Sequence, residues 1–564
     1  MAKERRPKAR LTAKQRLIVV LVPVTVVLIV AALLAPLAYF WGTYFYMTTD
    51  TGYNLVDTTL TTEQKLADLD YMYDVVCLQN PNKEMFEEAY GISYDDIYNR
   101  YRDLVIDTET EFQFFSVMSS FLMLLPGAHN GMQLPDYDHA ADSFVLTEIY
   151  ASQEMKDYQF SWKEDFRDDV ESYLQYNLIG FAYIDGTYVG RGVESGLLKN
   201  VITDYCDCIL LSVDGQDPVD LCFEYMQRNK PNYDGCNDCF YRKTLFFNDG
   251  IGIEHTLEIL MPDGTIETVT VYEDPALEIA CADGVSRYPE LFDLDNDAGD
   301  SAAVTDPEDE NYVPQTYTIE KDPDRKVVYV YSTACSSSEG DLLSADLEEA
   351  IDEIDADTVI FDFRWNHGGV TSFVNEQVLP VVFSSDLKYT AEVVGGKCDF
   401  TKNYYCNPYY VFYIGRPLRT DSENFYYTEN FDVEGKAAKD LKIYLLTSES
   451  TFSSGDLMTY LCKQYDNAVV VGNNSGGEGI CGSPFNCYLP ESRFMFVYTA
   501  TMNVDALEDT YLGTAPDVYI PFTVDEYLLK NELKAQGLDT NTYEVRQQYD
   551  QTLLYVLEQI DGAA

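Results

Sequence analysis

The sequence predicts an α/β multidomain protein with an N-terminal membrane helix, a helical N-terminal domain, a β-rich module and a core built on a mostly parallel sheet. Three observations predict it. Apolar residues recur at three- and four-residue spacing up to about residue 175, which is typical of helices. Short alternating stretches broken at Asp-Gly follow, which favours a β-rich module. From Lys326 onward, apolar strand-like runs such as KVVYVYS and TVIFDFR alternate with helical patterns, as in a parallel sheet with covering helices.

Composition shifts along the 564 residues divide the chain into seven segments. They are a basic cytoplasmic tail (1–16), a transmembrane anchor (17–40), a helical N-terminal domain (55–175), the β-rich module (176–275), an acidic linker or loop (276–315), the α/β core (316–530) and a C-terminal helix (531–564).

The N-terminal segments indicate a membrane anchor. The first sixteen residues carry seven Lys or Arg and one Glu, and the next 24, Leu17–Phe40, carry no charge. At about 1.5 Å per residue, a helix there would span roughly 36 Å, more than the ~30 Å hydrocarbon core of a bilayer. The apolar region of a signal peptide is usually only about 7–15 residues, and no clear cleavage site follows. We therefore expect a single-pass protein of the cell membrane, with its N-terminus cytoplasmic and the rest extracytoplasmic.

Charge and cysteine content restrict the partners and cofactors. A net charge of −57 repels polyanions, so we expect no nucleic-acid partner. The C-x-x-C at 236–239 has no second pair at zinc-site spacing and the chain has four histidines, so no metal or other cofactor is predicted. Thirteen cysteines fit an oxidising compartment. Close pairs suited to local disulfides are Cys236/Cys239, Cys398/Cys406 and Cys481/Cys487.

Two stretches of the α/β core carry possible chemistry. An apolar strand, Ile443–Leu446, ends in a Ser/Thr/Gly cluster before a helical segment, Asp456–Gln464. Such a turn can expose a hydroxyl and aim backbone N–H groups at one point, although most are plain helix caps. The second stretch, Val359–Gly369 (VIFDFRWNHGG), runs from a strand into two glycines, whose backbone can approach a substrate closely.

Together these stretches resemble the C-terminal processing (tail-specific) serine peptidases and their tricorn-like relatives. The shared motifs are strand-D-x-R-x-N-x-G-G and, about ninety residues later, strand-T-x-S-S-G-D; Gly513-Thr514-Ala515-Pro516-Asp517 follows in family order. The β-rich module is similar to a PDZ domain, because ILLSVDG is followed by a helix-like stretch and a hairpin around Asp263-Gly264. The resemblance covers most of residues 60–525 and implies an α/β peptidase core over 316–530.

The resemblance implies a role for each matching position. The nucleophile falls on Ser453, and the oxyanion hole on the N–H of Ser454 with one from Gly368 or Gly369. Asp362 and Arg364 match positions that we interpret as structural, fixing the glycine turn by charge-assisted hydrogen bonds.

One departure from the family pattern affects the base. The bacterial processing enzymes use a Ser–Lys dyad with the lysine 25 residues after the serine, and here that position is Glu478. A glutamate with an ordinary pKa of about 4.3 is a poor base for a serine hydroxyl. Other branches use a histidine in a short turn after an N-terminal helix, which matches His129 in Leu125-Pro126-Gly127-Ala128-His129-Asn130. Rival histidines are His139, His255 and His367.

A histidine base also needs a carboxylate to orient it. In the tricorn-like relatives this is a glutamate shortly before the G-x-x-P-D turn, a register that gives Thr510, with Glu508 and Asp509 beside it. We rank Glu508 first, with Asp509 and Glu478 as alternatives.

These assignments predict a membrane-anchored, extracytoplasmic serine endopeptidase that cleaves protein or peptide substrates through an acyl-enzyme. Its Ser–His–carboxylate arrangement would replace the Ser–Lys dyad. The alternative is a catalytically inactive peptidase-like protein that binds peptides or serves as a scaffold. The sequence does not determine the natural substrate or the oligomeric state.

Overall fold

The computed structural model describes residues 59–133, 175–191, 202–226, 229–280, 316–398, 419–480, 485–492, 494–504 and 512–563, with isolated residues elsewhere. Most of the anchor predicted over 17–40 and of the linker predicted over 276–315 therefore lies outside the described residues. Within the described part of the chain, no helix is both long and apolar enough to cross a bilayer.

Helices come first, a β-rich part follows, and strands then alternate with helices from Tyr317 onward, in the order that the sequence pattern predicts. The helices are α1 (Thr62–Tyr73), α2 (Lys83–Tyr90), α3 (Tyr94–Asp107), α4 (Glu111–Leu124), α5 (Pro275–Ile279), α6 (Ser337–Ile354), α7 (Leu379–Val382), α8 (Ser454–Lys463), α9 (Val524–Ala535), α10 (Tyr543–Arg546) and α11 (Gln551–Ala563). The strands are β1 (Gly131–Gln133), β2 (Leu178–Ile184), β3 (Thr187–Gly190), β4 (Ile209–Val213), β5 (Pro231–Asp234), β6 (Cys239–Arg242), β7 (Thr244–Asn248), β8 (Ile253–Leu260), β9 (Ile266–Glu273), β10 (Tyr317–Asp322), β11 (Val327–Ser332), β12 (Thr358–Asp362), β13 (Thr390–Gly396), β14 (Arg419–Thr420), β15 (Asn424–Asn430), β16 (Lys442–Thr447), β17 (Ala468–Gly472), β18 (Phe485–Tyr488), β19 (Met495–Tyr498), β20 (Thr501–Asn503) and β21 (Val518–Tyr519).

The N-terminal helices form because their ends are capped and their apolar faces find a core. Thr61 and Thr110 each cap a helix in a reciprocal capping box with a glutamine three residues on. Helix α4 is apolar almost all round and buries nearly every side chain. The hydrophobic core around α4 also contains Phe494, which precedes β19, and Phe496, which lies in β19. Both residues are far from α4 in the sequence. The helical region thus packs directly against the C-terminal half of the protein.

The β-rich module is a closed barrel with strand order β2-β3-β4-β8-β9-β7. The predicted hairpin at Asp263-Gly264 is present between β8 and β9. The prediction of a helix after β4 is wrong: residues 218–224 form consecutive turns instead. The buried Arg242 guanidinium accounts for the difference: it donates to the carbonyl oxygens of Cys222 at 2.6 Å and Tyr225 at 2.9 Å, which a helix would bond internally. The PDZ likeness is not confirmed.

The predicted mostly parallel sheet is confirmed. Its strand order is β10-β11-β12-β16-β17-β21, and every neighbouring pair is parallel except β10 and β11. All five residues of β12 are buried, as expected for a strand covered on both faces. Helices α6 and α8 pack on one face and α11 on the other. The carboxyl ends of β12 and β16 therefore lie side by side, and the loops that follow them meet.

The cysteines are free thiols where the structure describes them. Cys236 and Cys239, one of the pairs predicted to bridge, are both unbonded. The Cys239 thiol instead lies 3.3 Å from the Tyr183 hydroxyl. Each of the other two predicted pairs has a member outside the described residues.

A buried ionic network joins the end of β12 to the C-terminal helices. The Arg364 guanidinium bonds Asp362 at 2.6 and 2.9 Å and Asp550 at 2.5 and 2.9 Å, and Arg546 approaches Asp550 at 3.2 Å. The Tyr329 hydroxyl donates to Asp362 at 2.6 Å. Burial acts to raise the pKa of Asp362, but the charges of the two arginines outweigh it and hold that pKa well below its ordinary range. The predicted structural role of Asp362 and Arg364 thus extends to anchoring the C-terminal helices.

Replacing Arg364 by methionine is expected to cost about 3–5 kcal/mol of unfolding free energy, because it leaves buried carboxylates undercompensated. The lowered carboxyl pKa values mean that the network stabilises the fold above the unfolded-state pKa, about 3.9, and that this stabilisation is lost as pH falls through the folded-state values. Denaturant titrations at several pH values should therefore show the Arg364→Met deficit shrinking in acid. Arg325→Met, which breaks partly exposed pairs with Asp322 and Asp561, should cost less than about 1 kcal/mol for each pair. An equal cost for both variants would contradict this account.

Candidate active site

The serine turn after β16 has a strained backbone. Ser453 adopts φ +54° and ψ −121°, outside the regions that side chains with a Cβ prefer. The turn is held from both sides: the Thr451 hydroxyl donates to Phe363 O at 2.8 Å, and the Phe452 amide donates to Asn366 O at 2.9 Å. Helix α8 begins directly after Ser453, so the positive end of its dipole faces the serine.

The glycine turn after β12 packs against this serine. A Cβ built on Gly368, at φ +85°, would lie 2.7 Å from Ser453 Cβ and 2.9 Å from the Ser454 amide nitrogen. The Gly368 amide donates to the Asn366 side chain at 2.9 Å. No hydrogen bond within the described residues engages the amides of Gly369 and Ser454. The Ser454 hydroxyl donates to Gly369 O at 2.9 Å and holds these two residues together.

Strand pairing brings the histidine turn to the same place. Strand β1 begins two residues after His129 and pairs antiparallel with β19, in a register that joins Gly131 to Val497. Extending this register by two residues sets His129 opposite Thr499, and the His129 amide indeed donates to the Thr499 hydroxyl at 3.2 Å. Asn130 fixes the turn itself, since its side chain donates to the carbonyl oxygens of three preceding residues at 3.1–3.2 Å.

The side chains of Ser453, His129 and Glu478 are in consecutive contact. His129 Nε2 lies 3.1 Å from Ser453 Oγ, and His129 Nδ1 contacts Glu478 Oε2. Glu478 reaches this position because Gly477 forms a parallel bridge with Phe452, with the Ser453 amide donating to Gly477 O at 2.9 Å. The arrangement can transfer a proton from the serine hydroxyl to an imidazole that a carboxylate orients.

Glu478 is buried and densely hydrogen-bonded. Its side chain is 2% exposed. It accepts from the amides of Ala128 and His129 and, at 2.9 and 3.0 Å, from the Thr499 hydroxyl. Burial acts to raise the pKa of Glu478, but the charge and hydrogen bond of His129, the charge of Lys230 and the Ala128 amide together lower it. The residue is therefore a carboxylate near neutral pH.

One part of the chain matches a known protein family. Residues 326–520, which include the glycine turn, Ser453 and Glu478, match the model of Peptidase family S41. The chain contains a peptidase family S41 domain. The predicted serine-type peptidase is confirmed at the level of the family. No curated protein matches the chain.

Solved structures resemble this chain at low identity. Mature CPAF is 14% identical, with a TM-score of 0.47, over 89% of this chain and 99% of its own. The photosystem II D1 C-terminal processing protease is 10% identical, with a TM-score of 0.32, over 82% of this chain and 94% of its own. The tricorn protease is 13% identical, with a TM-score of 0.33, over 89% of this chain and 37% of its own. The family assignment depends on the sequence match to the S41 domain and not on these likenesses.

The other predicted site residues lie elsewhere or outside the description. Glu508, ranked first as the orienting carboxylate, lies outside the described residues with Asp509 and His139. Among the described carboxylates, the alternative Glu478 is the one that contacts His129. His255 belongs to the barrel, where its Nδ1 lies 2.8 Å from Asp214.

Asp456 is a residue of the S41 domain whose role the sequence analysis missed. It lies in the first turn of α8, fully buried, and accepts from the Gly479 amide at 2.8 Å and the Thr514 amide at 3.3 Å. Burial raises its pKa to about 6 despite these hydrogen bonds. Asp456 thus joins the serine turn to the segment that carries Glu478. Its place in the T-x-S-S-G-D motif was the available signal.

Alanine at either glycine of the turn is expected to lower turnover by about 10²–10³-fold, the cost of losing one oxyanion donor. At Gly368 the new Cβ would lie 2.5 Å from Phe452 O, and at Gly369, at φ +146°, it would lie 2.2 Å from Cys335 O. Both substitutions would displace the backbone of the glycine turn that packs against the serine turn. Hydrolysis of fluorescein-labelled casein measures the loss. Gly264→Ala at the barrel hairpin, where φ is also positive but no atom lies within 4 Å of the new Cβ, is the control for backbone strain alone. Equal activity in all three variants would contradict this role of the turn.

Proposed function

We propose that this protein is a serine endopeptidase that cleaves protein or peptide substrates through an acyl-enzyme, with Ser453 as nucleophile, His129 as base and Glu478 as orienting carboxylate. The observation that carries the proposal is the short path Ser453 Oγ to His129 Nε2, 3.1 Å, with Glu478 on the other imidazole nitrogen. The proposal gives Glu478, one of the predicted alternatives, the role for which the sequence ranked Glu508 first.

Each step uses one part of the site. Ser453 Oγ attacks the scissile carbonyl carbon while its proton passes to His129 Nε2. The carbonyl oxygen, now negative, accepts hydrogen bonds from two amides. One belongs to Gly369 in the glycine turn, and the other to Ser454 at the start of α8. The C–N bond then breaks and the leaving amine takes the proton from His129, which leaves the acyl group on Ser453. Water, deprotonated by His129, releases the acid and restores the hydroxyl.

Glu478 explains how the site works without the family lysine. It occupies the sequence position, 25 residues after the serine, where the related dyad enzymes carry their base. As a carboxylate it accepts the Nδ1 proton of His129, which selects the tautomer with a free lone pair on Nε2. It also stabilises the imidazolium that forms during attack. A Ser–His–Glu arrangement thus replaces the Ser–Lys pair at the same place in the fold.

We also propose that residues 17–40 anchor the protein in the cell membrane, with the peptidase part extracytoplasmic. The support is the 24-residue uncharged stretch after a basic tail. Extraction of membranes with alkaline carbonate and protease treatment of intact cells test this. Release by carbonate, or protection of the peptidase part in intact cells, would refute it.

Labelling with an alkyl fluorophosphonate tests the proposed activity. The wild-type protein should become labelled on Ser453, located by peptide mass spectrometry, and should hydrolyse fluorescein-labelled casein. Ser453→Ala should do neither. If the folded wild-type protein fails both assays, the catalytically inactive peptide-binding or scaffold protein becomes the better description. Labelling that persists in Ser453→Ala would refute the assignment of the nucleophile.

A further inference from the structure

A lysine of the β-rich module, next to the two-stranded β5–β6 sheet, contacts the segments that carry the catalytic residues. Lys230 precedes β5, and its ammonium group donates to Gly476 O at 3.1 Å. The same group lies 4.8 Å from the centroid of the Phe452 ring, within cation–π range. Gly476 is two residues before Glu478, and Phe452 directly precedes Ser453. One side chain from a separate module therefore contacts both of the segments that present the catalytic groups.

The Phe452 ring transmits this contact to the histidine. Its centroid lies 4.7 Å from that of the His129 imidazole. The Phe452 ring is thus in contact range of both the ammonium group of Lys230 and the imidazole. We expect loss of the Lys230 contact to change the packing of this ring against His129.

The charge of Lys230 also acts on Glu478. Among the described residues, the charged or titratable groups around this carboxylate include His129 from the turn after α4, Lys230 from the β-rich module, and Asp456 of α8, which accepts from the adjacent Gly479 amide. The charge of Lys230 is one of the causes that lower the pKa of Glu478 against the effect of burial.

We propose that Lys230 is a positioning residue for the Ser453–His129–Glu478 site: it fixes the Gly476–Glu478 segment and the Phe452 ring, and it places a positive charge beside that segment. The inference rests on the proposed function, because it assigns Lys230 to the same reaction. Lys230 touches no reacting atom in this role. Its effect reaches the chemistry through Glu478 and Phe452.

The test compares three variants. Lys230→Met removes the charge and the hydrogen bond but keeps an unbranched chain, and Lys230→Arg keeps the charge. Lys321→Met is the control: Lys321 lies on the edge strand β10, outside the site, and the change removes its ion pair with Glu353. The rate of labelling by an alkyl fluorophosphonate is measured for each from about pH 5 to pH 9, a range that spans imidazole titration.

Lys230→Met is expected to label about tenfold more slowly at neutral pH, with the acid limb of its pH profile moved upward by about one unit. Lys230→Arg should recover most of the rate, and Lys321→Met should match the wild type. A wild-type profile for Lys230→Met would overturn the proposal. Equal losses in Lys230→Met and Lys230→Arg would overturn the part assigned to charge.

A second measurement, the pH titration of the imidazole NMR signals, does not depend on activity. The chain has four histidines, so the His129 imidazole signals can be assigned by their loss in His129→Gln. The midpoint at which the His129–Glu478 pair titrates should move to higher pH in Lys230→Met. An unmoved midpoint would overturn the inference whether or not the protein labels. Absence of wild-type labelling together with a moved midpoint would refute the proposed function alone.

Discussion

Replacing His129 by alanine is expected to lower turnover of fluorescein-labelled casein by about 10⁴- to 10⁶-fold, the range for loss of a base that acts as a unit with its serine. His129 Nε2 is the acceptor 3.1 Å from Ser453 Oγ. Alanine removes the imidazole that takes the serine proton in the proposed mechanism. The effect should fall on kcat, because a proposed base acts in the transition state and contributes little to binding of the substrate.

The control for this variant is His255→Ala. His255 also pairs with a carboxylate, Asp214, but lies in the barrel. Its activity should remain within about twofold of the wild type, as expected for a residue that does not contribute to the transition state. If His129→Ala kept a tenth or more of the wild-type turnover, the imidazole would not be the base.

Replacing Glu478 by glutamine is expected to lower kcat by about 10⁴-fold, with the fold preserved. A glutamine amide can present an N–H to His129 Nδ1 and so favour the tautomer that carries its proton on Nε2. That proton would block transfer from Ser453. The substitution also removes the negative charge that stabilises the imidazolium. Steady-state kinetics and circular dichroism spectra separate this effect from unfolding.

Two further variants delimit the role of Glu478. Glu491→Gln alters a carboxylate that accepts from Gln64 on the surface, and it should leave kcat unchanged. Glu478→Lys restores the residue type of the dyad enzymes, but His129 occupies the approach to Ser453, so activity should not return. Recovery of activity in Glu478→Lys, or full activity in Glu478→Gln, would show that the carboxylate does not act through His129.

The sequence predicted those parts of the site that depend on local pattern. Ser453 and the two glycines lie in turns that follow apolar strands, and the ends of parallel strands meet at one edge of the sheet. His129 was inferred from the resemblance to relatives that carry a histidine in a turn after an N-terminal helix. The parallel core and its covering helices followed from strand–helix alternation.

What the sequence did not determine depends on contacts between distant segments. The pairing of β1 with β19 joins residues more than 360 positions apart, and it is this register that places His129 beside Thr499 and Glu478. Lys230 contacts the site from beside the two-stranded β5–β6 sheet of the β-rich module, and no sequence motif marks it. The helix predicted after β4 failed because Arg242, 20 residues away, takes the backbone oxygens that the helix needs. In each case a tertiary interaction decided what local pattern left open.

A double-mutant cycle of His129→Ala and Glu478→Gln tests the central claim most directly, with labelling by a fluorophosphonate as readout and Ser453→Ala as background. If Glu478 acts only through His129, the double variant should label at the rate of His129→Ala alone, within about threefold, because the second change has nothing left to remove. Losses that multiply in the double variant would show two independent contributions and would contradict a Ser453–His129–Glu478 unit.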